Sequence, residues 1–434
     1  MAPQKGKLLG EGKTKRIYEC EGRLGFVIVE NMPNITAHDD PSWTKQFEAK
    51  ARYAATTACR VFELLKAAGL PVAYEEQISD TEFVASLCKM IPLECVIRRL
   101  AVGSYLKRHP EYDRGGERPH RFHRLVFELF LKSTEGKVAR DGDILFSDLS
   151  VEDPFIANPY NPVWNLFHPK KPSWEASANL DKTVERSEVL SLSIGGIEKL
   201  NRMAFLIIES AWAILGYLLV DFKLELGITP DGRLVIADVI DNDSWRLRDR
   251  DFKEVSKQLF RDGQPLDEVE AKYGHVAELV SRFNVPEQAL VFWRGSTRDT
   301  MPESFRDLGT LAGLQPIEIV LSGHKQTRDC LQKLEELQRD FPAGGVIIAK
   351  VGMSNGLGPI LAAHTNWPVI SVPASSKDFP EDVWSSLRVP SAVPMATVLS
   401  DANAIDLALN ILGQTNPAIY ACQRYVLEER DSSY

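Results

Sequence analysis

The chain has 434 residues, of which 44% are hydrophobic and 26% are charged, and this is an ordinary composition for a globular protein. Its length predicts two or three domains. The formal net charge of -9 argues against non-specific binding to nucleic acid. The sequence has no run of about 18 apolar residues to span a membrane, and its first residues lack the apolar core of a signal peptide. We therefore expect a cytoplasmic protein whose partners include neither nucleic acid nor a membrane.

The first predicted elements are strands over residues 8–29, and a basic, glycine-containing loop lies near their start. The loop reads Gly10-Glu11-Gly12-Lys13-Thr14-Lys15. Its glycines let the backbone approach a phosphate and its lysines supply positive charge, although the spacing is not that of a Walker motif. The alternative is a hairpin turn with solvated lysines, and spacing alone does not decide between the two.

A helix and a basic stretch follow. Apolar residues at helical spacing predict a helix over 45–68, with Gly69 as its C-cap. Residues 92–108 then place four basic side chains around Gly103-Ser104 in otherwise apolar sequence. Arginine forks suit phosphate and carboxylate groups. The apolar neighbours argue against a solvated basic helix, so we expect this backbone to be buried.

Residues 133–172 are rich in proline and turn formers. They predict a long surface excursion that Trp164 and Phe167 pin to the body of the domain. An amphipathic helix is predicted next, over 187–215, and it leads directly into the stretch 219–247.

The stretch 219–247 is the most informative part of the sequence. It predicts two strands joined by a Pro230-Asp231-Gly232 turn. Charged residues recur at every second position of the first strand, which would place Asp221, Lys223 and Glu225 on one face. More charge follows the turn, at Asp238, Asp241, Asp243 and Arg246. Charged groups rarely face a core unless they are paired or bind a metal. The pattern predicts a metal-nucleotide site, with structural ion pairs as the alternative.

A second domain is predicted from Ala289 onward, where strand, small-residue loop and helix alternate. The predicted strands cover 290–293, 317–321, 345–351 and 368–372. A parallel sheet of this kind binds ligands at the carboxyl ends of its strands, where helix N-termini suit a phosphate. The predicted organisation is a first domain over 1–262, a linker or peripheral helix over 263–288, and a second domain over 289–434.

Taken in order, these motifs resemble the bifunctional purine-biosynthesis enzymes of animals, in which phosphoribosylaminoimidazole-succinocarboxamide synthetase is fused to phosphoribosylaminoimidazole carboxylase. The matching segments are 11–15, 35–37, 98–108, 221–223 and 237–247 in the first domain, and 295–297, 324–325, 354–359 and 382–388 in the second. The resemblance covers nearly the whole chain except 133–172, which it marks as an insertion. It implies an α+β ATP-binding synthetase domain followed by a three-layer α/β domain with a parallel sheet.

For the first domain the resemblance implies ligation of aspartate to carboxyaminoimidazole ribonucleotide (CAIR), which gives the succinocarboxamide ribonucleotide (SAICAR). ATP would activate the CAIR carboxylate as an acyl phosphate, which the aspartate amine attacks. The ATP phosphates would be lined by Gly12, Lys13 and Lys15, and Mg²⁺ would be held by Glu225 and Asp238. The catalytic set would be Asp221, Lys223 and Arg246. CAIR and aspartate would be bound by Arg98, Gly103, Ser104, Asp243 and Ser244, together with Arg246.

For the second domain the resemblance implies carboxylation of aminoimidazole ribonucleotide (AIR) by CO₂ without biotin or ATP, and a homo-octamer assembled through this domain. The catalytic residues would be His324, as general acid/base, and Lys325. The substrate would be bound by Gly295, Ser296, Asp299, Ser322, Ser354, Asn355 and Gly356.

Several positions depart from the family pattern. Small or apolar residues are replaced by Arg294 and Arg298, an alanine by Gly323, and an arginine by Met353. Arg298 could add a phosphate contact or fill the pocket, and both alternatives stay open at this point. In the first domain, Leu226 replaces a phenylalanine. Two other hypotheses therefore accompany the bifunctional one: a synthetase with an inert, oligomerising second domain, and a nucleotide-binding assembly protein.

Overall fold

The computed structural model describes residues 3–36, 44–46, 49–116, 118–140, 142–256 and 265–430. They divide into two compact units, Met1–Phe283 with Tyr425–Tyr434, and Asn284–Arg424. Ala37 of the motif at 35–37 and Gly263-Gln264 of the predicted linker lie outside the described residues. Within the described ranges, the helices are too short or too polar to cross a membrane.

The first unit begins with an antiparallel sheet of five strands and a separate pair. The elements are β1 (Gln4–Glu11), β2 (Lys15–Glu21), β3 (Phe26–Asn31), β4 (Asn34–Thr36), β5 (Thr44–Gln46), α1 (Ala49–Ala67), β6 (Tyr74–Gln77) and β7 (Glu82–Ser86). The sheet order is β1-β2-β3-β7-β6, and β4 pairs with β5. The strands predicted over 8–29 are confirmed.

Helix α1 lies against this sheet. Phe62 of the helix stacks on Tyr74 and contacts Phe83, both of which lie on strands. The helix begins at Ala49 rather than at residue 45 because Thr44–Gln46 forms β5. The predicted C-cap is confirmed, since Gly69 has a φ of +83° and its N-H bonds to the carbonyl of Lys66.

A second, nine-stranded sheet forms the rest of this unit. Its elements and their neighbours are β8 (Lys89–Met90), β9 (Leu93–Leu100), α2 (Ser104–Arg108), β10 (Arg121–Leu131), β11 (Val138–Arg140), β12 (Asp143–Phe146), β13 (Phe155–Ile156), β14 (Val163–Phe167), β15 (Asn179–Glu185), α3 (Arg186–Val189), α4 (Ile194–Ile214), β16 (Leu218–Ile228), β17 (Leu234–Ala237), β18 (Trp245–Arg248) and α5 (Leu266–Val280). The order is β15-β14-β13-β10-β9-β16-β17, and β18 and β8 also pair with β16. Strands β9, β10 and β16 therefore occupy the centre.

The predicted hairpin over 219–247 is confirmed as β16 and β17, with Gly232 at a φ of +85° in the turn. The second strand is shorter than the sequence indicates. It ends at Ala237 because Asp238 adopts a φ of +59°, and the chain then loops to β18, which pairs with the other end of β16. The acids after the turn consequently lie on a loop beside the strand.

Two expectations for the middle of the chain are corrected. Residues 133–172 are more than a surface excursion, because β13 and β14 join the central sheet. Trp164 is fully buried there, as predicted, while Phe167 is only partly buried. The helix expected over 187–215 begins at Ile194, and it is buried on nearly all sides instead of being amphipathic. Its charged residues are buried because they form ion pairs, as Glu209 does with Arg99.

The second unit is built on a parallel five-stranded sheet in the order β20-β19-β21-β22-β23. Its elements are β19 (Gln288–Arg294), β20 (Leu314–Val320), α6 (Thr327–Asp340), β21 (Gly345–Val351), α7 (Leu357–His364), β22 (Val369–Pro373), α8 (Trp384–Leu387), β23 (Ala396–Thr397), α9 (Asp401–Leu412) and α10 (Pro417–Arg430). One face of the sheet packs on α6 and α7, and the other on α9. The three-layer prediction is thereby confirmed, although a 3₁₀ helix, Glu303–Thr310, replaces the first predicted helix.

The last turns of α10 belong to the first unit. Glu428 is fully buried in this unit. Its carboxylate accepts hydrogen bonds from Arg99 at 2.8 Å, from Arg202 at 3.0 Å and from the backbone N-H of Leu125 at 3.0 Å. Burial raises the pKa of Glu428, but the charge of Arg99 and the hydrogen bonds from Leu125, Arg99 and Arg202 together outweigh that effect, and the net pKa is lowered. The first unit is thus completed by residues from the end of the chain.

We expect Glu428→Ala to lower the free energy of unfolding of the first unit by about 3–5 kcal/mol, because two buried guanidinium groups lose a shared partner. Urea denaturation measures the change. The exposed neighbour provides the control, and Glu429→Ala should cost about 1 kcal/mol or less. Since the folded pKa of Glu428 lies below its ordinary value, its contribution is present at neutral pH and is lost as the pH falls through that lowered pKa. A difference that stays constant into strong acid would contradict this account.

Candidate functional site

Charged side chains from the central strands meet on one face of the large sheet. Asp221 lies opposite Arg98 on β9 and opposite Arg246 on β18, and its carboxylate accepts hydrogen bonds from both guanidinium groups. Arg98 also donates to Glu128 at 2.6 Å and to the hydroxyl of Ser104 at 3.2 Å. The two arginines thus share one buried carboxylate, and the predicted substrate residues around it are brought together.

The charged forms of Arg98 and Glu128 are favoured in spite of their burial. Burial lowers the pKa of Arg98, but the charges of Glu128 and Asp221 outweigh it and the net pKa is raised. Burial raises the pKa of Glu128, but Arg98 and Arg108 outweigh it and the net pKa is lowered. Glu128 was not singled out in the sequence, because nothing in its strand shows that two arginines from other segments surround it.

Gly103 has both a conformational and a steric reason to be glycine. Its φ is +61°, a region that side chains rarely adopt. A Cβ atom at this position would lie 2.5 Å from Nη2 of Arg246. The absence of a side chain therefore lets the Arg246 guanidinium lie over the loop between β9 and α2, next to Ser104.

A pair of carboxylates lies further along β16. Glu225 is opposite Ala237 in the hairpin, and Asp238 follows directly. Lys15 forms an ion pair with Asp238, and Lys132 forms one with Glu225. Burial raises the pKa of Glu225, and the negative charge of Asp238 raises it further. Burial also raises the pKa of Asp238, but Lys15, Lys132 and Lys223 together outweigh it and the net pKa is lowered.

This carboxylate pair fits the requirements of Mg²⁺, which takes one or two protein carboxylates and completes its shell with water and substrate phosphates. Within the described ranges, no group of three or more His, Cys, Asp or Glu side chains could hold a metal unaided. The pair therefore suits a metal that arrives with phosphate ligands. Lys223, which bonds to Glu94 at 2.8 Å, lies between this pair and Asp221 on the strand.

A cavity of about 460 Å³ opens beside the carboxylates. Its charged end contains Lys13, Lys15, Lys132, Glu225 and Asp238, and its walls include Ile17, Val27, Val29, Phe83, Ala85 and Met90. The size lies within the range of small-molecule sites, and apolar walls with a charged end suit a base and its phosphates. The loop at residues 10–15 is indeed a hairpin turn, in which Gly12 bonds to Lys15, but its lysines line the cavity instead of facing solvent alone.

Asp243 and Ser244 are held by groups of the protein. Asp243 forms an ion pair with Lys50 at 3.3 Å and accepts a hydrogen bond from the Tyr273 hydroxyl at 2.6 Å. The Ser244 hydroxyl donates to the carbonyl of Val239 at 3.0 Å. These contacts fix the loop between β17 and β18, and the substrate role of both residues stays a prediction. Lys50 was missed because α1 also carries Arg52, Arg60, Glu63 and Lys66, so the sequence does not single out Lys50 as buried.

Three loops of the second unit follow neighbouring parallel strands and meet at the carboxyl edge of the sheet. They contain Gly295, Ser296 and Asp299 after β19, Ser322 to Lys325 after β20, and Ser354 to Gly356 after β21. The ring of His324 lies against Gly356, because a Cβ there would be 2.3 Å from Nε2. A Cβ at Gly323 would lie 2.6 Å from Cα of Leu357, so the alanine expected there would not fit without a shift. His324 and Lys325 are both exposed.

Asn355 is buried, and its hydrogen bonds connect the loop after β21 to neighbouring elements at this edge of the sheet. Its amide donates to the hydroxyls of Ser371 at 2.7 Å and Ser386 at 3.1 Å, and its oxygen accepts from the N-H of Gly358 at 2.9 Å. These contacts hold the loop after β21. Its predicted contact with substrate stays a prediction.

The arginines that depart from the family pattern have different environments. Arg294 is partly buried, donates to the carbonyl of Asp299 and forms an ion pair with Glu318, so it supports the loop after β19 from inside the unit. Arg298 is exposed on the same loop. Met353, where the arginine is lost, is 64% exposed and has a φ of +64°. Arg298 and Met353 are thus both exposed, and neither position places a buried charge at this edge of the sheet.

Comparison with known families assigns each unit separately. The SAICAR synthetase family model matches residues 8–151 and 170–279, and the AIR carboxylase family model matches residues 296–431. A solved structure of a SAICAR synthetase in complex with ADP covers 63% of this chain and 97% of its own, with 24% sequence identity and a TM-score of 0.48.

Full-length relatives connect the two units. A probable multifunctional protein of Caenorhabditis elegans is 33% identical over 96% of this chain and 92% of its own length. A human protein, named bifunctional phosphoribosylaminoimidazole carboxylase/phosphoribosylaminoimidazole succinocarboxamide synthetase, is also 33% identical, over 96% of this chain and 92% of its own length. Because both family models match in this order and the relatives span both, the chain belongs to the bifunctional AIR carboxylase/SAICAR synthetase family of purine biosynthesis.

Proposed function

We propose that this chain carboxylates AIR with CO₂ in its second unit and ligates aspartate to the resulting CAIR, with ATP and Mg²⁺, in its first. The observation that carries the synthetase half is the arrangement along β16. The carboxylate pair Glu225 and Asp238 lies at the charged end of a nucleotide-sized cavity, and the Arg98-Asp221-Arg246 cluster lies further along the same strand. ATP and an anionic acceptor would thus be held on one rigid sheet face.

In the synthetase reaction the chain's own residues bind and orient three anionic reactants. Lys13 and Lys15 attract the ATP phosphates, with Gly12 allowing close backbone approach. Arg98, Arg246 and Ser104 hold the carboxylate and phosphate of CAIR and the incoming aspartate, while Asp221 keeps both guanidinium groups in place. Glu225 and Asp238 would hold Mg²⁺, which would offset charge on the transferring phosphoryl group.

In the carboxylase reaction the three loops at the carboxyl edge of β19, β20 and β21 form the site. Gly295, Ser296 and Asp299 bind the ribose phosphate, with Ser322 and the loop from Ser354 to Gly356 enclosing the substrate. His324 moves the proton that the imidazole carbon loses when CO₂ adds, and Lys325 attracts the developing carboxylate. This chemistry requires neither biotin nor ATP. A homo-octamer formed through this unit and a cytoplasmic location complete the proposal.

The two half-reactions test this proposal on one preparation. Wild type should form SAICAR from AIR, bicarbonate, ATP, Mg²⁺ and aspartate. His324→Ala should lower the rate from AIR by at least about 100-fold, the usual contribution of a general acid/base, and leave the rate from supplied CAIR unchanged. The exposed His364 of α7 provides the control, and His364→Ala should retain both rates. Turnover of CAIR but not AIR by wild type would favour the inert second domain, and no SAICAR from CAIR would overturn the synthetase.

The carboxylate pair predicts a specific change in metal dependence. Glu225→Gln should raise the Mg²⁺ concentration needed for half-maximal synthetase rate by about 10–100-fold, because one of two anionic ligands is lost. Titration of Mg²⁺ at saturating ATP, CAIR and aspartate measures it. Glu76→Gln changes an exposed glutamate of the same unit, whose ion pair with Arg23 is at the surface, and should behave as wild type. An unaltered Mg²⁺ dependence in the Glu225 variant would remove Glu225 from the metal site.

The close approach of Arg246 to Gly103 predicts that a substitution of Gly103 changes the KM for CAIR alone. Gly103→Ala should displace the Arg246 guanidinium and raise the KM for CAIR about tenfold or more, with the KM for ATP unchanged. Steady-state kinetics with each substrate varied in turn would show this. Gly115 has nearly the same φ, +62°, with open space around it, so Gly115→Ala places a side chain at a positive φ without the clash. Equal effects of both variants would mean that strain, and not Arg246, is responsible.

A further inference from the structure

A buried lysine lies at the edge of the parallel sheet where the carboxylase loops meet. Lys350 is at the carboxyl end of β21, opposite Arg294 in the register of β19, and it is 8% exposed. Its ammonium group donates to Asp401 at 2.7 Å and to the hydroxyl of Thr300 at 3.3 Å. Asp401 is the first residue of helix α9, and Thr300 directly follows Asp299 in the loop after β19.

The ion pair with Asp401 explains how the charge is tolerated but not why it is present. Lys350 is buried and the Asp401 side chain is 24% exposed, so their pairing desolvates the ammonium and part of the carboxylate, which costs free energy that an apolar pair of similar size would avoid. One oxygen of Asp401, Oδ1, is buried and has no hydrogen-bond partner among the described residues. A pair retained only for stability would be expected to satisfy both carboxylate oxygens. The incomplete pairing indicates a role beyond packing.

Lys350 reaches the loop after β19 by two routes. Its carbonyl accepts a hydrogen bond from the N-H of Gly295 at 3.1 Å, and its ammonium bonds to Thr300, so it contacts both ends of the loop. Its charge also acts on Asp299. Burial raises the pKa of Asp299, and among the charges around it Lys350 and Arg294 lower this pKa while Asp382 raises it.

We propose that Lys350 is a positioning residue of the carboxylase, which fixes the loop from Gly295 to Thr300 for the ribose phosphate. This inference rests on the proposed function of the second unit.

The direct test is Lys350→Met, which keeps the length of the side chain and removes its charge. The KM for AIR should rise about tenfold, the size expected for losing a charged hydrogen bond, with a smaller change in kcat. Thr300→Val leaves the pair with Asp401 intact and cuts only the link to the loop, so its KM should change in the same direction. Lys333→Met removes a surface lysine that pairs with Glu336 on α6 and should leave the KM unchanged.

A pH profile separates positioning from a purely structural role. Without Lys350 the pKa of Asp299 should rise further, so the acid limb of kcat/KM for AIR should move to higher pH, while the synthetase profile with supplied CAIR stays in place. The inference would be overturned if Lys350→Met and Thr300→Val both kept the wild-type KM for AIR and the wild-type acid limb. A fall in kcat with an unchanged KM would overturn it as well. Calorimetric binding of AIR to wild type tests whether the second unit is a carboxylase at all. A wild type that neither binds nor carboxylates AIR would overturn the proposed carboxylase, and this inference with it.

Discussion

The pairing of Arg98 with Asp221 is the interaction on which the synthetase site depends. Both side chains are buried, and each binds a second partner, so neither can move without leaving a charge unpaired. Such a pair adds little to stability, because desolvation offsets most of its Coulomb attraction. Its effect is geometric. Asp221 holds Arg246 where Gly103 leaves space for it, and Arg98 holds Ser104, so two cations and a hydroxyl are fixed before any substrate arrives.

Strand β16 sets the distance between the two halves of the reaction. Its side chains alternate between faces, so Asp221, Lys223 and Glu225 share one face, and four residues of strand separate Asp221 from Glu225 by roughly 13 Å. In the proposed reaction, a nucleotide in the cavity would extend its phosphates from Glu225 toward Lys223, and the acceptor would lie at Asp221. Because the strand is central in a nine-stranded sheet, this spacing is rigid.

Sequence alone predicted the features that depend on local periodicity. The alternation along 219–228 has the period of a strand, and the repeated strand, loop and helix of the second unit predicts parallel strands whose loops meet at one edge. Features that depend on distant partners were missed. Lys132 reaches Glu225 from 93 residues away, and Glu209 in α4 is buried only because Arg99, 110 residues away, neutralises it. Trp164 was recognised as an anchor, but its strand was hidden by the prolines around it.

The end of the chain constrains how the two activities can be separated. Arg99 is the neighbour of Arg98 on β9, and its guanidinium is neutralised by Glu209 and by Glu428, which follows the second compact unit in sequence. Cutting the chain at the division after Phe283 would therefore remove an anion from the interior of the synthetase unit and leave Arg202 and Arg99, the neighbour of Arg98, partly uncompensated. We expect apolar replacements of those arginines to stabilise an isolated synthetase unit, because a buried cation that has lost a partner is more costly than no cation at all.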